Sequence, residues 1–157
     1  MVFFIPAGIF LADRCTKIWA LQVLSRMPQG LTVWPGVFRL YYAENTGMAF
    51  GLLGGQRWLL VALSLIAGAA ALWALRSYRL RAWARASLLV VGGGMLGNLA
   101  DRVFLGYVVD MIDVTFVRFA VFNVADMAIT LGTVFLCISL LFRPGDWEAR
   151  EGAANKA

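Results

Sequence analysis

Residues 58–75 read WLLVALSLIAGAAALWAL, eighteen positions without a charge. A helix rises 1.5 Å per residue, so about 18 to 20 apolar residues cross the roughly 30 Å hydrocarbon core of a bilayer. This run is long enough to span. Working outward from it, residues 119–142 form a second apolar run interrupted by one charge, Asp126. A third, residues 86–109, holds Asp101 and Arg102, and a fourth, residues 2–24, holds Asp13, Arg14 and Lys17. Of 157 residues 61% are hydrophobic and 15% charged, against about 25% charged in an average soluble domain. Strands of a membrane barrel would alternate apolar and polar residues, and these runs do not. The composition predicts an all-α integral membrane protein of one domain, 1–157, with spans at 2–24, 58–76, 86–105 and 121–142.

Arginine placement orients the spans. Arg76, Arg79, Arg81 and Arg85 crowd the link at 77–85, and short loops rich in Lys and Arg stay cytoplasmic. Both termini, including the tail 143–157 with Arg143, Arg150 and Lys156, then share that side, while loops 25–57 and 106–120 face outward. Charges in the middle of the first apolar run argue against a cleaved signal peptide. Residues 31–34 and 37–42 alternate and carry β-branched side chains, which predicts a small sheet on the outer membrane surface. Gly54 and Gly55 offer a hinge before the second span. Trp34, Tyr41, Tyr42, Trp58, Tyr78, Trp83, Tyr107 and Trp147 fall near the predicted interfaces, as an aromatic belt does.

Several chemistries are excluded by scarcity. The net charge is +5, but the arginines lie where orientation demands them, and no basic stripe with interleaved aromatics suggests nucleic acid. There is no histidine, and Cys15 and Cys137 lie in separate spans, so thiol catalysis, zinc and Ser/His/Asp hydrolysis lack their partners. Both cysteines read as small buried hydrophobes. No metal site and no cofactor is expected. Gly92, Gly94 and Gly97 match the dinucleotide fingerprint in spacing, but no strand precedes them, and the match is rejected. Gly93 and Gly97 instead make a small-residue face for close backbone approach, whether inside the molecule or in a dimer.

Carboxylates remain as the acid–base groups. Five of six aspartates, Asp13, Asp101, Asp110, Asp113 and Asp126, lie within or at the lip of apolar segments. A charge near the bilayer centre costs roughly 2.5 to 3.5 kcal/mol on insertion scales, which marks such residues as functional candidates. Asp13 and Lys17, four apart, share a helix face and can neutralise each other. Arg14 needs another partner, and adjacent Asp101 and Arg102 each reach toward another segment. Asp110 and Asp126 flank one short connection between adjacent spans. Two carboxylates meeting in a low-dielectric site do not both ionise easily, so one keeps a proton to polarise a carbonyl while the other takes a proton from water. Two alternatives stand beside this. Asp126 only caps or packs, with Asn123 the real helix N-cap and Asp110 and Asp113 loop charges; or the carboxylates form a proton relay in a transporter.

Five ordered blocks carry a family resemblance: Asp13, Thr16 and Lys17; Asn45, Thr46, Gly47, Ala49 and Phe50; Gly94, Gly97, Asn98, Asp101 and Arg102; Val109 and Asp110; and Phe122, Asn123, Ala125 and Asp126. In these, over most of its length, the chain resembles the bacterial lipoprotein signal peptidases, or signal peptidase II. The resemblance implies a four-helix aspartyl endopeptidase of the bacterial inner membrane, with both termini cytoplasmic and the site at the outer face. Its substrate would be a diacylglyceryl-modified prolipoprotein, cut just before the lipidated cysteine, and its inhibitor the cyclic peptide globomycin. The catalytic pair falls on Asp110 and Asp126. Asn45, Gly94, Asn98, Arg102, Asn123 and Ala125 are implied as substrate-binding or site-shaping residues, and Asp13, Lys17 and Asp101 as supports. Asp113 is set aside by the resemblance and not by spacing.

Overall fold

The computed structural model describes residues 4–150; the expected start of the first span at residue 2, and Lys156, lie outside them. Four long helices dominate: α1 (Phe4–Gln22), α2 (Arg57–Ser77), α3 (Ala82–Phe104) and α4 (Val124–Phe142). Five short strands join them: β1 (Leu31–Trp34), β2 (Phe38–Asn45), β3 (Tyr78–Leu80), β4 (Val108–Val114) and β5 (Trp147–Ala149). The chain is therefore mostly helical with two small sheets.

Among the described residues, α2 and α4 are long and apolar enough to cross a membrane. Only 11% and 17% of their most apolar windows is buried, so Ile66, Trp73 and Leu141 look outward. The core helix of a soluble protein would hide such faces, and outward apolar faces of this extent call for an apolar solvent. By the same measure α1 and α3 do not qualify. They carry Asp13, Arg14 and Lys17, and Arg85, Asp101 and Arg102. Cys15 and Cys137 also lie exposed on α1 and α4, which corrects their expected burial. On an outward apolar face a thiol still behaves as a small hydrophobe.

Helix α3 is central, packing on α1, α2 and α4. Its glycines permit this. A Cβ on Gly93 would meet Pro6 Cα of α1 at 2.9 Å, and one on Gly94 would run into the Ala125 carbonyl of α4. The small-residue face thus serves internal contacts. Helix α3 begins before the expected residue 86, and α4 begins after the expected 121, because Asn123 caps it.

The loop 77–85 and the tail from 143 do not remain separate solvated segments. Strands β3 and β5 pair antiparallel, Leu80 opposite Trp147. Asp146 anchors the tail, accepting from Ser139 Oγ at 3.2 Å and Arg143 Nε at 2.9 Å. Leu80, Ala84 and Leu88 form the small core beneath, with Tyr78 and Trp147 against it.

The other sheet runs β1–β2–β4, all antiparallel. Strands β1 and β2 occupy the two stretches whose alternation predicts strand. Strand β4 arises within 106–120, which the sequence reading treats as loop. Val109 and Met111 of β4 pack with Ala20 and Leu24 beside α1. Strand side chains alternate, so Asp110 between them is directed to the opposite face, toward α3 and α4.

Candidate active site

The site rests on a buried charge cluster. Asp13 and Asp101 are 0% exposed and Lys17 1%. Lys17 Nζ lies 2.9 Å from Asp13 Oδ2 and 2.8 Å from Asp101 Oδ2, and Arg14 pairs with Asp101 as well. Each carboxylate also binds backbone that local sequence leaves unpaired. Asp13 Oδ1 accepts the Ala125 N–H in the first turn of α4 at 3.0 Å, and Asp101 Oδ2 accepts the Val109 N–H of β4 at 3.2 Å. A buried ion is costly unless paired and hydrogen-bonded, and these are both. The cluster fixes α1, α3, α4 and β4 relative to one another. It therefore sets where Asp110 and Asp126 sit.

One asparagine, Asn123, bonds to both of those aspartates, and two others bond to one each. Asn123 is the N-cap of α4: its Oδ1 accepts the Asp126 N–H at 2.9 Å, and Asp126 Oδ2 accepts the Asn123 N–H at 3.2 Å. This is a capping box, which satisfies two otherwise orphaned helix donors. The remaining Asn123 group, Nδ2, donates to Asp110 Oδ1 at 2.6 Å. Asn98 Nδ2 donates to Asp126 Oδ1 at 2.7 Å, and Asn45 Nδ2 to Asp110 Oδ2 at 3.0 Å. Burial first, and then the charge of Asp126, push the Asp110 carboxyl up to about 6. The hydrogen bonds from Asn45 and Asn123 and the Lys17 charge oppose that rise.

A cavity of about 800 Å³ opens beside the pair, walled by Leu60, Leu63, Ser64 and Ala67 of α2 and Met127, Ile129, Thr130 and Leu131 of α4. Besides the Ser64 and Thr130 hydroxyls, its polar side chains are Asn45, Asn98, Arg102 and Asp126. Arg102 Nη2 donates to the Gly47 carbonyl at 2.8 Å, while its Nε is buried without a partner. Ligand sites commonly combine such an apolar wall with a small set of convergent polar groups. A smaller hollow of about 490 Å³ lies at Arg39, Asp113 and Arg118. It holds neither Asp110 nor Asp126.

The residues singled out from sequence divide accordingly. Asn45, Asn98, Arg102, Asn123, Asp110 and Asp126 are brought together, although Asp110 and Asn123 do not line the cavity and reach it through Asn45 and Asn98. Gly94 and Ala125 meet each other across the α3–α4 contact and shape the site from behind. Asp13, Lys17 and Asp101 form the supporting cluster. Asp113 is an ion pair with Arg39 at 2.7 Å across β2 and β4, away from the pair. Spacing leaves the capping role of Asn123 and the meeting of the aspartates as alternatives; the structure shows the cap, and the capping Asn123 also donates to Asp110. The sequence reading missed the α2 wall and residues 119–121, whose apolar side chains carry no signal separating cavity lining from lipid contact.

A family model described as Signal peptidase (SPase) II matches residues 5–142. The lipoprotein signal peptidase of Clostridioides difficile (strain 630) is 40% identical over 130 residues, 83% of this chain and 87% of that one. Its counterpart in Nostoc punctiforme is 41% identical over 143 residues, 88% of each. Among solved structures, a bacterial membrane enzyme determined by the in meso method at 2.3 Å gives a TM-score of 0.81 at 24% identity, over 99% of this chain and 91% of that one. A second, at 1.9 Å, gives 0.78 at 25% identity, over 90% and 93%. With matches along nearly its whole length in sequence and in fold, the chain belongs to the signal peptidase II family, the membrane peptidases that process lipoproteins.

Proposed function

We propose that the chain is an aspartyl endopeptidase in which Asp110 and Asp126 activate a water to cut a prolipoprotein just before its diacylglyceryl-modified cysteine. The observation that carries this is the single Asn123 side chain that binds Asp110 while capping the helix turn that holds Asp126, at the head of an apolar cavity. One carboxylate takes a proton from the water as the water oxygen attacks the scissile carbonyl, while the other, protonated, gives its proton to the carbonyl oxygen; as the C–N bond breaks, the first passes its proton to the leaving amine and the second takes back a proton from the gem-diol. Arg102 and Asn45, on the cavity wall, have free donor capacity for peptide carbonyls. The groove between α2 and α4 has the apolar character that a signal helix and acyl chains require.

In this reading all four helices cross the bacterial inner membrane, with both termini cytoplasmic. The β1–β2–β4 sheet and the site lie at the outer face, and the arginines near β3 and β5 lie at the inner one. Ionic pairing inside the bundle is what lets α1 and α3 cross with their charges. Membrane lipids border the cavity, globomycin competes for it, and nucleic acid has no place in it. A proton relay fits less well, because the relatives matched are peptidases and the carboxylates gather at one end.

The test is cleavage by purified protein of lipidated and unlipidated precursor, with and without globomycin. Rapid, globomycin-sensitive cleavage of the lipidated form alone is expected. Equal cleavage of the unlipidated form would remove the lipid from the substrate assignment, and proton flux in liposomes without peptide would favour the relay.

A further inference from the structure

We infer that Lys17 acts beyond the buried ion cluster by setting the direction of the Asn98 amide, so that Asn98 is a positioning residue for Asp126. Lys17 Nζ has three donors and no acceptor. Two donors go to Asp13 and Asp101, and the third goes to Asn98 Oδ1 at 2.8 Å. Asn123 Nδ2 donates to the same oxygen at 3.2 Å. With two donors converging on Oδ1, only Nδ2 of Asn98 is left to face Asp126, where it donates at 2.7 Å. The flipped amide would set its NH2 against an ammonium and its oxygen against a carboxylate, losing all three bonds.

Helix α1 supplies none of the cavity lining. Its ammonium nevertheless fixes the hydrogen-bond polarity at the reacting carboxylate from one residue away. The neighbouring amide of Asn123 is fixed in the same sense by the Asp126 N–H. Both aspartates thus receive N–H donors from their amide neighbours. This inference rests on the dyad reading of Asp110 and Asp126 for its catalytic consequence, but the amide polarity is measurable without any substrate.

The chain has four asparagines, Asn45, Asn98, Asn123 and Asn155, so selective 15N-asparagine labelling gives a sparse side-chain amide spectrum. In the full-length protein the Asn98 signals should move as the carboxylates titrate, and Asp126→Asn should displace them more than those of Asn45. Asn98→Asp keeps an acceptor for Lys17, removes the donor toward Asp126 and sets a second carboxylate beside it. It should lower kcat about 10- to 100-fold, the loss of one hydrogen bond to a charged group, and move the acidic limb of the pH–rate profile to higher pH. Lys17→Met combined with Asp101→Asn preserves the cluster's charge sum; it should lower kcat with KM unchanged and shift the Asn98 signals toward a free amide. Asn98 signals indifferent to pH and to Asp126→Asn would overturn the inference, as would parental kcat and pH profile in Asn98→Asp. Should the double variant not fold, the labelled parent and Asn98→Asp still decide. A parent protein that leaves lipidated precursor uncut would instead sink the peptidase reading and leave the amide measurement standing.

Discussion

Replacing Asp110 by asparagine removes a charge from a site where the fold disfavours it, and the effect on stability should depend on pH. Asp110 is 1% exposed, and its carboxyl is pushed from 3.8 up to about 6, chiefly by burial and secondly by Asp126. The folded chain therefore holds the proton more tightly than the unfolded one. The stability this contributes is fully present below about pH 4 and is lost as pH rises through about 6. A rise of about two units corresponds to about 3 kcal/mol lost by pH 8. Asp110→Asn is neutral throughout and does not suffer this loss. It has its own cost: the amide's NH2 must face one of the two donors, Asn123 Nδ2 or Asn45 Nδ2, that now bind the carboxylate. One such bond lost costs about 1 to 2 kcal/mol. The net expectation is a variant more stable than the parent by about 1 to 2 kcal/mol at pH 8, and equal or less stable at pH 4.5. Thermal midpoints by tryptophan fluorescence in detergent, parent against variant across that range, measure it, with Asp113→Asn as control. A midpoint difference that does not change with pH would refute the assignment of a strained, buried carboxyl at position 110.

Asp110→Asn and Asp126→Asn should each lower the cleavage rate of a lipidated precursor by about 10² to 10⁴-fold, the range of a lost general acid or base, with the protein still in the membrane. Asp113→Asn removes only the partly exposed pair with Arg39 and should leave turnover near the parent value; a dead enzyme there would reverse the choice of aspartate. Gly94→Ala places a Cβ against the Ala125 backbone carbonyl, which has no room to give, and should cost about 1 to 3 kcal/mol. Gly92→Ala meets nothing within 4 Å and should gain up to about 1 kcal/mol in helix propensity; paired thermal melts separate the two. Asp146→Ala leaves Ser139 and Arg143 without their acceptor. Faster proteolysis after residue 143, with cleavage of precursor retained, is expected.

The sequence makes two kinds of feature legible. Long apolar runs declare α2 and α4, because a helix that long with so little charge finds a favourable solvent only in hydrocarbon or deep in a large core. The pairing of Asp13 with Lys17 follows from helix periodicity alone. What resists reading is anything decided between distant segments. The partner of Arg14 is Asp101, 87 residues away, and no local pattern names it. Strand β4 hides in VVDMIDV, where an aspartate that belongs to the site interrupts the apolar pattern that would otherwise mark a strand. The wall residues Leu60 and Leu63 are indistinguishable in type from Leu65 and Ile66, which face outward. Only packing separates them.

The capping box at the head of α4 gives a reason why a helix end suits the proposed chemistry. Asn123 and Asp126 would be a sufficient N-cap on any exposed helix, and such a cap consumes one oxygen of Asp126 and the Oδ1 of Asn123. An ionised carboxylate has about four lone-pair sites. Here Asp126 uses one for the cap and one for Asn98, and Asp110 uses one each for Asn123 and Asn45. The remaining sites are open to the water and the proton that the proposed reaction needs. Because the cap is made of backbone as well as side chain, Asp126 is held in one rotamer by the start of the helix itself, and Asn123 transmits that position to Asp110. A site built this way is preorganised by the same bonds that begin the helix, so loss of the Asn123 amide should impair α4 initiation and the placement of Asp110 relative to Asp126 together.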